Sequence, residues 1–373
     1  MPGAEIPIES LAAALRGAYP ELGALREAGG DPVYLVGGAV RDLLLGRGRA
    51  DIDLVVEGDP GELAARLGAA PLAAHERFAT AKVELDGHEL DIAAARTETY
   101  PEPGALPVVA PAAGIEADLG RRDFTINAMA LPLAGETRLI DPHGGRADLG
   151  AGVLRILHPR SFVDDPTRAI RAARYAARFG FEPEPQTATL LRAADLGTVS
   201  AERRQAELAR LGAEATAPRA LALLAEWGLV APRQGGVELA TRVAALLETP
   251  PWRGFAPRER ALLAAALGPA GAETELAEAE PDRPSKAVEL AAGRDPVELA
   301  LARALGAGWL DRYLTEWRRV RLEIDGADLI AAGVGEGPAL GRGLRAALGA
   351  KLDGEVGDRD QELAAALKAA RAR

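Results

Sequence analysis

Hydrophobic positions follow two different patterns along the chain, one on either side of residue 160. In the first part, short apolar runs at 33–36 and 52–56 predict buried strands, and residues 39–45 between them show helical spacing. In the second part the strand signals end, and helical segments follow one another to the C-terminus. The pattern therefore predicts an α+β N-terminal part followed by a long helical remainder.

Two segments between residues 80 and 115 add to this picture. Residues 81–85 and 88–92 flank Asp86-Gly87, a turn pair that predicts a β-hairpin. Residues 100–115 are rich in proline, glycine and alanine and show no periodicity, which predicts a loop. Loops of this length in compact domains are usually functional or mobile, and the alternative is an inert proline-rich connection.

Length and composition indicate a folded protein of several domains. The chain has 373 residues, of which 48% are hydrophobic and 27% charged, and we expect two to four domains. It contains no cysteine, which excludes disulfides, thiolate zinc sites and cysteine nucleophiles. No apolar stretch reaches the roughly 18 residues of a membrane helix, and the N-terminus lacks a signal-peptide pattern. We therefore expect a cytoplasmic protein without membrane association.

The charge of the chain gives two opposing indications about nucleic acid. The formal net charge is −11 at pH 7, and an acidic protein as a whole does not attract phosphate. Arginines are nevertheless crowded between residues 155 and 210. We therefore expect a local basic surface, with the acids concentrated elsewhere.

Aspartates in the predicted strands are the first candidates for chemistry. Asp51 and Asp53 are two residues apart, so in a strand both side chains lie on one face. Neighbouring carboxylates repel unless a cation lies between them, and Mg²⁺ prefers carboxylate oxygens, phosphates and water. The pair therefore predicts a magnesium site, and the alternative is a pair of exposed acids at a strand start. Asp91 is either a third carboxylate of such a site or an ordinary aspartate of an apolar strand.

A glycine pair lies between the first predicted strand and its helix. At Gly37 and Gly38, the absence of a side chain lets backbone N–H groups approach a phosphate at the helix N-terminus. Arg41 follows one helical turn later and can reach the same anion. A plain tight turn is the alternative, but the closeness of Asp51 and Asp53 favours a site for a nucleotide and its metal.

Five motifs follow one another between residues 35 and 208. They are LVGGAVRDLLLGRGRADIDLVV (35–56), RRDFTINAMA (121–130), DPHGGRADL (141–149), FVDDPTRAIRAARYAARFGF (162–181) and SAERRQAEL (200–208). In this order they resemble the motifs of class II tRNA nucleotidyltransferases and their bacterial poly(A) polymerase relatives, within the polymerase-β-like superfamily. The stretch 324–348 also resembles the tail of these enzymes.

The resemblance implies an α+β multidomain fold. A polymerase-β-like nucleotidyltransferase head with a mixed sheet is expected at residues 1–150. An all-helical neck for base recognition is expected at 151–215, a helical body at 216–315, and a helical tail that binds tRNA at 316–373.

The resemblance also implies a reaction and its residues. Asp51 and Asp53 match the aspartates that hold magnesium, and Asp91 matches the third catalytic acid. The implied reaction is in-line attack of an RNA 3′-hydroxyl on the α-phosphate of CTP or ATP, with release of pyrophosphate. Asp123 and Asn127 would organise the site or recognise the sugar. The residues of the head that match nucleotide-binding positions are Gly37, Gly38, Arg41, Arg122, Asp123 and Asn127.

A helix rich in arginine is predicted from residue 166. Asp165 is suited to cap this helix and Pro166 to be its first residue. At 100° per residue, four arginines fall within an arc of roughly 120°: Arg168, Arg171, Arg174 and Arg178. From the pattern alone, this face is either a nucleotide-binding surface or the solvated side of an ordinary amphipathic helix.

The resemblance makes this helix the element that selects the base. In class II enzymes a Glu-Asp-x-x-Arg motif forms hydrogen bonds with the Watson–Crick edge of CTP or ATP, and Asp165 and Arg168 match its last two residues. Arg171 and Arg174 match nearby arginines that bind nucleotide or phosphate. Asp164 stands where the family has glutamate, so no base contact is assigned to it.

Three functional hypotheses follow. Residues 100–115 correspond to the flexible loop of the family, which members that add only C tend to lack. The first hypothesis is therefore template-independent addition of CCA to tRNA 3′ ends from CTP and ATP, with Mg²⁺ as cofactor and no protein partner. The second is an A-adding enzyme or poly(A) polymerase of the same family. The third is an inactive RNA-binding relative, against which the intact Asp51 and Asp53 argue.

Overall fold

The structure is a computed structural model that describes residues 7, 10–23, 25, 29–47, 51–75 and 80–372. The chain forms two compact units, one of residues 1–211 with 222–230 and one of residues 212–221 with 231–373. The division into head, neck, body and tail remains a prediction.

The first unit contains the strands of the described chain. They are β1 (Val33–Val36), β2 (Ile52–Val56), β3 (Ala70–His75), β4 (Thr80–Leu85), β5 (His88–Ala94), β6 (Arg96–Thr99), β7 (Val108–Pro111), β8 (Ala130–Pro132), β9 (Val153–Leu154) and β10 (Glu182–Pro183). Six of them form a mixed sheet in the order β3-β4-β5-β2-β1-β8. Within this sheet the pair β2–β5 is parallel and the other pairs are antiparallel.

Helices cover and extend this sheet. Up to residue 226 they are α1 (Leu11–Ala18), α2 (Gly38–Leu44), α3 (Pro60–Arg66), α4 (Ile115–Leu119), α5 (Gly145–Ala151), α6 (Ser161–Asp164), α7 (Thr167–Phe179), α8 (Pro185–Arg192), α9 (Ala201–Ala213) and α10 (Ala217–Glu226). Val36 and Val55 of the sheet pack in one cluster with Ile115 and Leu119 of α4. β1 is buried along its length, and β2 is buried except at Asp53. The apolar runs therefore became core strands, as predicted, with one acid left at the surface.

The second unit is helical throughout its described residues. From residue 236 onward its helices are α11 (Gly236–Leu246), α12 (Arg258–Leu267), α13 (Ala272–Glu278), α14 (Pro284–Ala291), α15 (Pro296–Leu305), α16 (Trp309–Thr315), α17 (Gly326–Ala331), α18 (Pro338–Leu352) and α19 (Arg359–Arg371). Ile324, Leu329, Ala347 and Ala366 belong to a core that α17, α18 and α19 share. Among the described helices, none combines the length and the apolar character that a membrane crossing needs.

Three local predictions are wrong in part. Residues 100–115, which were predicted to form a loop, contain β7, and β7 pairs antiparallel with β6. The prediction missed this strand because four residues that end at a proline show almost no alternation. The arginine helix begins at Thr167, one residue later than expected, although the Asp165 carboxylate accepts a hydrogen bond from the Thr167 backbone at 3.1 Å. Strand structure also continues beyond residue 160, where the two-residue strand β10 pairs with β9.

Candidate functional site

The three candidate carboxylates lie on neighbouring parts of the sheet. Asp53 of β2 and Asp91 of β5 are register neighbours, and Asp51 comes directly before β2. All three are exposed, and among the described residues none of them has a hydrogen-bond or salt-bridge partner. Protein surrounds Asp53 on several sides, and this desolvation raises its pKa; Arg122 lowers the pKa, while Asp91 and Asp51 raise it further. The acids are therefore close enough to repel one another.

The chemistry of these carboxylates fits a divalent cation. Magnesium is usually bound through one or two carboxylates together with substrate phosphates and water. Within the described ranges, no three Asp, Glu or His side chains are arranged to hold a metal ion by themselves. The protein thus offers part of a coordination shell, and oxygen atoms of a substrate would have to complete it.

The turn after β1 brings the backbone close to an arginine. Gly37 has a φ of 66°, and a Cβ at this position would lie 2.8 Å from Nη1 of Arg122. Only glycine combines this backbone with such a close approach. Nε of Arg122 is buried and, in the described part of the chain, has no hydrogen-bond acceptor. Arg122 therefore places its Nη1 directly beside the glycine turn.

Asp118 is a functional candidate that sequence reasoning missed. Its fully buried carboxylate accepts from Nε of Arg121 at 2.9 Å and from Nη2 of Arg122 at 3.0 Å. Burial raises the pKa of Asp118, but Arg122 and Arg121 outweigh burial and hold the pKa below its usual value. An acid at the end of a short helix, three and four residues before two arginines, was the signal that could have identified Asp118.

A chain of buried hydrogen bonds connects the arginine helix α7 with α2. Asp123 accepts from Nε of Arg171 at 2.8 Å and from the Asn127 amide at 3.0 Å. The Asn127 oxygen in turn accepts from Nη1 of Arg41 at 2.7 Å. Burial raises the pKa of Asp123, but Arg171 and Asn127 are among the groups that outweigh it, and the pKa falls to about 2. Asp123 and Asn127 are thus placed to organise the site through Arg171 and Arg41.

The predicted nucleotide-binding residues meet in a cavity of about 390 Å³. Seven arginines and four acids line it: Arg41, Arg121, Arg122, Arg168, Arg171, Arg174 and Arg178, with Asp53, Glu98, Asp123 and Asp165. Gly37, Gly38 and Asn127 also line it, whereas Asp51 and Asp91 do not. Asp91 lines an adjoining cavity of about 360 Å³, which shares Asp53, Arg121 and Arg122 with the first. Guanidinium groups are therefore concentrated around one cavity, and several of them form ion pairs with acids that do not line it: Asp42, Asp118 and Glu207.

Asp165 and Arg168 line this cavity and are held by protein partners. Oδ1 of Asp165 accepts from Arg203 at 3.0 Å, while Oδ2 accepts no hydrogen bond from the residues that the structure describes. Arg168 donates to the Ser161 hydroxyl at 2.9 Å and to the Arg121 carbonyl at 2.7 Å.

Asp164 lies apart from this pair. It lines a different, adjoining cavity and accepts from Arg160 at 3.0 Å. Asp164, which stands where the family has glutamate, is therefore not part of the lining of the arginine-lined cavity.

The paired acids suit a divalent cation, and the glycine turn and the arginine-lined cavity suit the phosphates of a nucleotide. Polymerase-β-like nucleotidyltransferases are the class of protein that combines these features on a mixed sheet. A family model described as the poly(A) polymerase head domain matches residues 33–155. A CC-adding tRNA nucleotidyltransferase of Deinococcus radiodurans is 35% identical over 90% of this chain and 89% of its own. The chain belongs to the class II tRNA nucleotidyltransferase family, as its motifs predicted.

Two further comparisons show how far the similarity extends. An A-adding tRNA nucleotidyltransferase of Halalkalibacterium halodurans is 45% identical over 47% of this chain, and the chain spans only 44% of that relative. The structure of a Thermotoga maritima CCA-adding enzyme complexed with tRNA matches with a TM-score of 0.75 and 29% identity, covering 97% of this chain and 98% of that one. The polymerase-β-like head and the helical remainder are thus confirmed as the fold.

Proposed function

We propose that this protein adds CCA to tRNA 3′ ends, using CTP and ATP without a nucleic-acid template and releasing pyrophosphate. The observation that carries the proposal is the arginine-lined cavity that contains Asp53. The phosphates of a nucleotide need such guanidinium donors, and among the residues that the structure describes the acids Asp51, Asp53 and Asp91 have no hydrogen-bond or salt-bridge partner, as substrate-dependent metal ligands should.

The residues of the cavity have distinct proposed roles. Arg122, Arg171 and Arg174, which line the cavity, bind the triphosphate. The backbone at Gly37 and Gly38 lines the same cavity next to Arg122, and we assign it to the same phosphates. These contacts hold the α-phosphate in position for in-line attack, so that much of the catalysis is positioning and electrostatic stabilisation.

Asp51 and Asp53 would hold Mg²⁺, with Asp91 beside them as the third acid. When bound there, the metal supplies charge neutralisation at the phosphates and a lower pKa for the attacking hydroxyl. Asp91 lines the second cavity together with Asp53, and we assign that cavity to the 3′ end of the RNA.

Base selection is assigned to Asp165 and Arg168. Cytosine and adenine both carry an exocyclic amine, from which a carboxylate oxygen can accept a hydrogen bond. Uracil and guanine carry a carbonyl at the corresponding position and offer no such donor. Oδ2 of Asp165 accepts no bond from any described residue, so it is the oxygen that we assign to this amine. Nη1 of Arg168 donates a hydrogen bond to the Ser161 hydroxyl, which fixes the orientation of the guanidinium group.

CC addition is the second candidate, because the Deinococcus radiodurans relative that spans 90% of this chain is a CC-adding enzyme. Two RNA substrates separate the possibilities: tRNA that lacks CCA, and tRNA that ends in CC. A CCA-adding enzyme completes both substrates when CTP and ATP are present. Arrest after two C residues would establish CC addition, and extension of the CC-ending tRNA alone would establish A addition. Either of these results overturns the first proposal.

A further inference from the structure

The first part of the segment 100–115 is fastened to the region that carries Asp165. The Gly104 N–H donates to the Val163 carbonyl at 3.1 Å. Gly104 has a φ of 71°, and a Cβ there would lie 2.5 Å from the Thr198 carbonyl oxygen. The backbone at this point is thus held close against residues that precede and follow the arginine helix.

One arginine connects this fastened segment with the proposed base-selecting acid. Nη1 of Arg203, on α9, donates to the Gly104 carbonyl at 2.6 Å and approaches the Ala105 carbonyl at 3.4 Å. Its Nη2 donates to Oδ1 of Asp165 at 3.0 Å. Arg203 does not line the arginine-lined cavity, so it can affect a nucleotide there only through other groups.

We propose that Arg203 is a positioning residue that couples the backbone at residues 104–105 to nucleotide selection by Asp165. A guanidinium group is a planar fork with donors in fixed directions. A shift of the Gly104 carbonyl therefore moves one of the three donors to Oδ1 of Asp165, and with it the direction of the remaining carboxylate oxygen. This inference rests on the proposed function, because it assigns the regulation of that same site.

A second contact links the same two regions. The guanidinium carbon of Arg168 lies 6.0 Å from the centre of the Tyr100 ring. Tyr100 is fixed by its hydroxyl, which donates to Glu98 at 3.0 Å. Both members of the proposed base-selecting pair, Asp165 and Arg168, therefore contact residues that belong to or contact the segment 100–115.

The test compares Arg203→Met with Arg203→Lys and with the control Arg192→Met. Arg192 is an exposed residue of α8 whose one hydrogen bond within the described ranges goes to the Ala188 carbonyl of its own helix, at 3.5 Å. We expect R203M to raise KM for CTP and ATP about tenfold or more, the loss typical of a charge-assisted hydrogen bond, with a smaller change in kcat. Oδ1 of Asp165 also accepts from the Thr167 hydroxyl at 2.7 Å and from the Thr167 backbone N–H at 3.1 Å, so R203M should turn the carboxylate without releasing it. We therefore expect R203M to lower, but not to abolish, the preference for CTP over UTP and for ATP over GTP. R203K should restore part of this selectivity, and R192M should match the wild type.

Hydrogen exchange at the Gly104 amide provides a readout that does not depend on catalysis. We expect faster exchange in R203M and unchanged exchange in R192M. Wild-type exchange at Gly104 in folded R203M, or wild-type selectivity in active R203M, would overturn the coupling. If R203M does not fold, the same two measurements on R203K decide. An absence of nucleotide incorporation by the wild type would refute the proposed function. Hydrogen exchange at Gly104 would still test whether Arg203 holds the backbone at residues 104–105.

Discussion

Asp53 and Asp91 lie side by side on the parallel strands β2 and β5, and neither has a hydrogen-bonding or ionic partner in the described part of the chain. Acids in this arrangement repel each other, and Asp91 and Asp51 both raise the pKa of Asp53. A bound cation would remove this repulsion, whereas the fold alone gains nothing from it. The pair is therefore better explained by ligand binding than by stability.

Removal of either charge should leave the fold intact. A raised pKa in the folded state means that the ionised form of Asp53 weakens stability at neutral pH, so Asp53→Asn should have a melting temperature equal to or above the wild-type value. Asp91→Asn removes one of the charges that raise the pKa of Asp53, so a melting temperature at or above the wild-type value is expected for it as well. Glu84→Gln, which alters an exposed acid of β4, is the control for thermal unfolding. A melting temperature several degrees lower in D53N would indicate a structural role instead.

Substitution of Gly37 should separate backbone strain from loss of the site. Gly37→Ala and the control Gly68→Ala both place a side chain on a backbone of positive φ, and we expect each to lose about 1–3 kcal/mol of unfolding free energy. Only at Gly37 does the added Cβ meet Arg122, since nothing lies within 4 Å of a Cβ at Gly68. G37A should therefore also lose nucleotide affinity, measured by CTP titration, and G68A should retain it. Equal affinities in the two variants would disprove the role of the close approach.

Asp123→Asn should destabilise the first unit strongly. The substitution leaves the guanidinium of Arg171, which is 34% exposed, without its buried carboxylate, and the loss of this partly buried pair costs about 2 kcal/mol. Urea unfolding measures this loss, and Asp282→Asn, at a highly exposed acid, is the control. A loss of less than about 1 kcal/mol would mean that Asp123 is not the principal partner of Arg171.

The stabilising effect of Asp123 should depend on pH. Its pKa is lowered from 3.8 to about 2 in the folded state, so its contribution is present above the unfolded value and is lost as the pH falls towards the folded value. This shift corresponds to roughly 2 kcal/mol. The difference in unfolding free energy between wild type and D123N should therefore shrink between about pH 5 and pH 2. A constant difference over this range would contradict the assignment.

Neighbouring acids should differ in their effect on base selection. Asp165 lines the arginine-lined cavity and Asp164 lines a different one. Asp165→Asn should reduce the preference for CTP over UTP about tenfold or more, because an amide places a donor where the base amine needs an acceptor. Asp164→Asn should change this preference less than threefold, a difference of about 0.6 kcal/mol. Competition between labelled CTP and UTP measures both, and a larger effect in D164N would reverse the assignment.

Local patterns predicted those parts of the molecule whose determinants are close together in sequence. The bounds of β1 and β2 were predicted to the residue, because each is an apolar run that ends at turn residues. The hairpin of β4 and β5 followed from Asp86-Gly87. The four arginines of α7 reach one cavity, as their helical spacing indicated. By contrast, β3 contains proline and alanine with no β-branched residue, so it had no strand signal.

The parts of the site that depend on distant partners were not predictable in this way. Arg203 contacts Gly104 across 99 positions of sequence, and no local pattern encodes that contact. Arg41 and Asn127 are 86 positions apart. The resemblance to a family predicted the residues of the site, whereas only the structure distinguished Asp123, which accepts from Arg171, from Asp53, which has no hydrogen-bond or salt-bridge partner among the described residues.

The most direct test measures the incorporation of labelled CTP and ATP into tRNA that lacks CCA, with and without Mg²⁺. It compares three proteins: the wild type, the double variant Asp51→Asn/Asp53→Asn, and the control Glu84→Gln. We expect wild type and E84Q to add C, C and A only when magnesium is present. The double variant should bind the tRNA but incorporate nucleotides about a thousandfold more slowly, which corresponds to roughly 4 kcal/mol of lost transition-state stabilisation. Incorporation at the wild-type rate by the folded double variant would contradict the assignment of these two aspartates as the metal-binding acids.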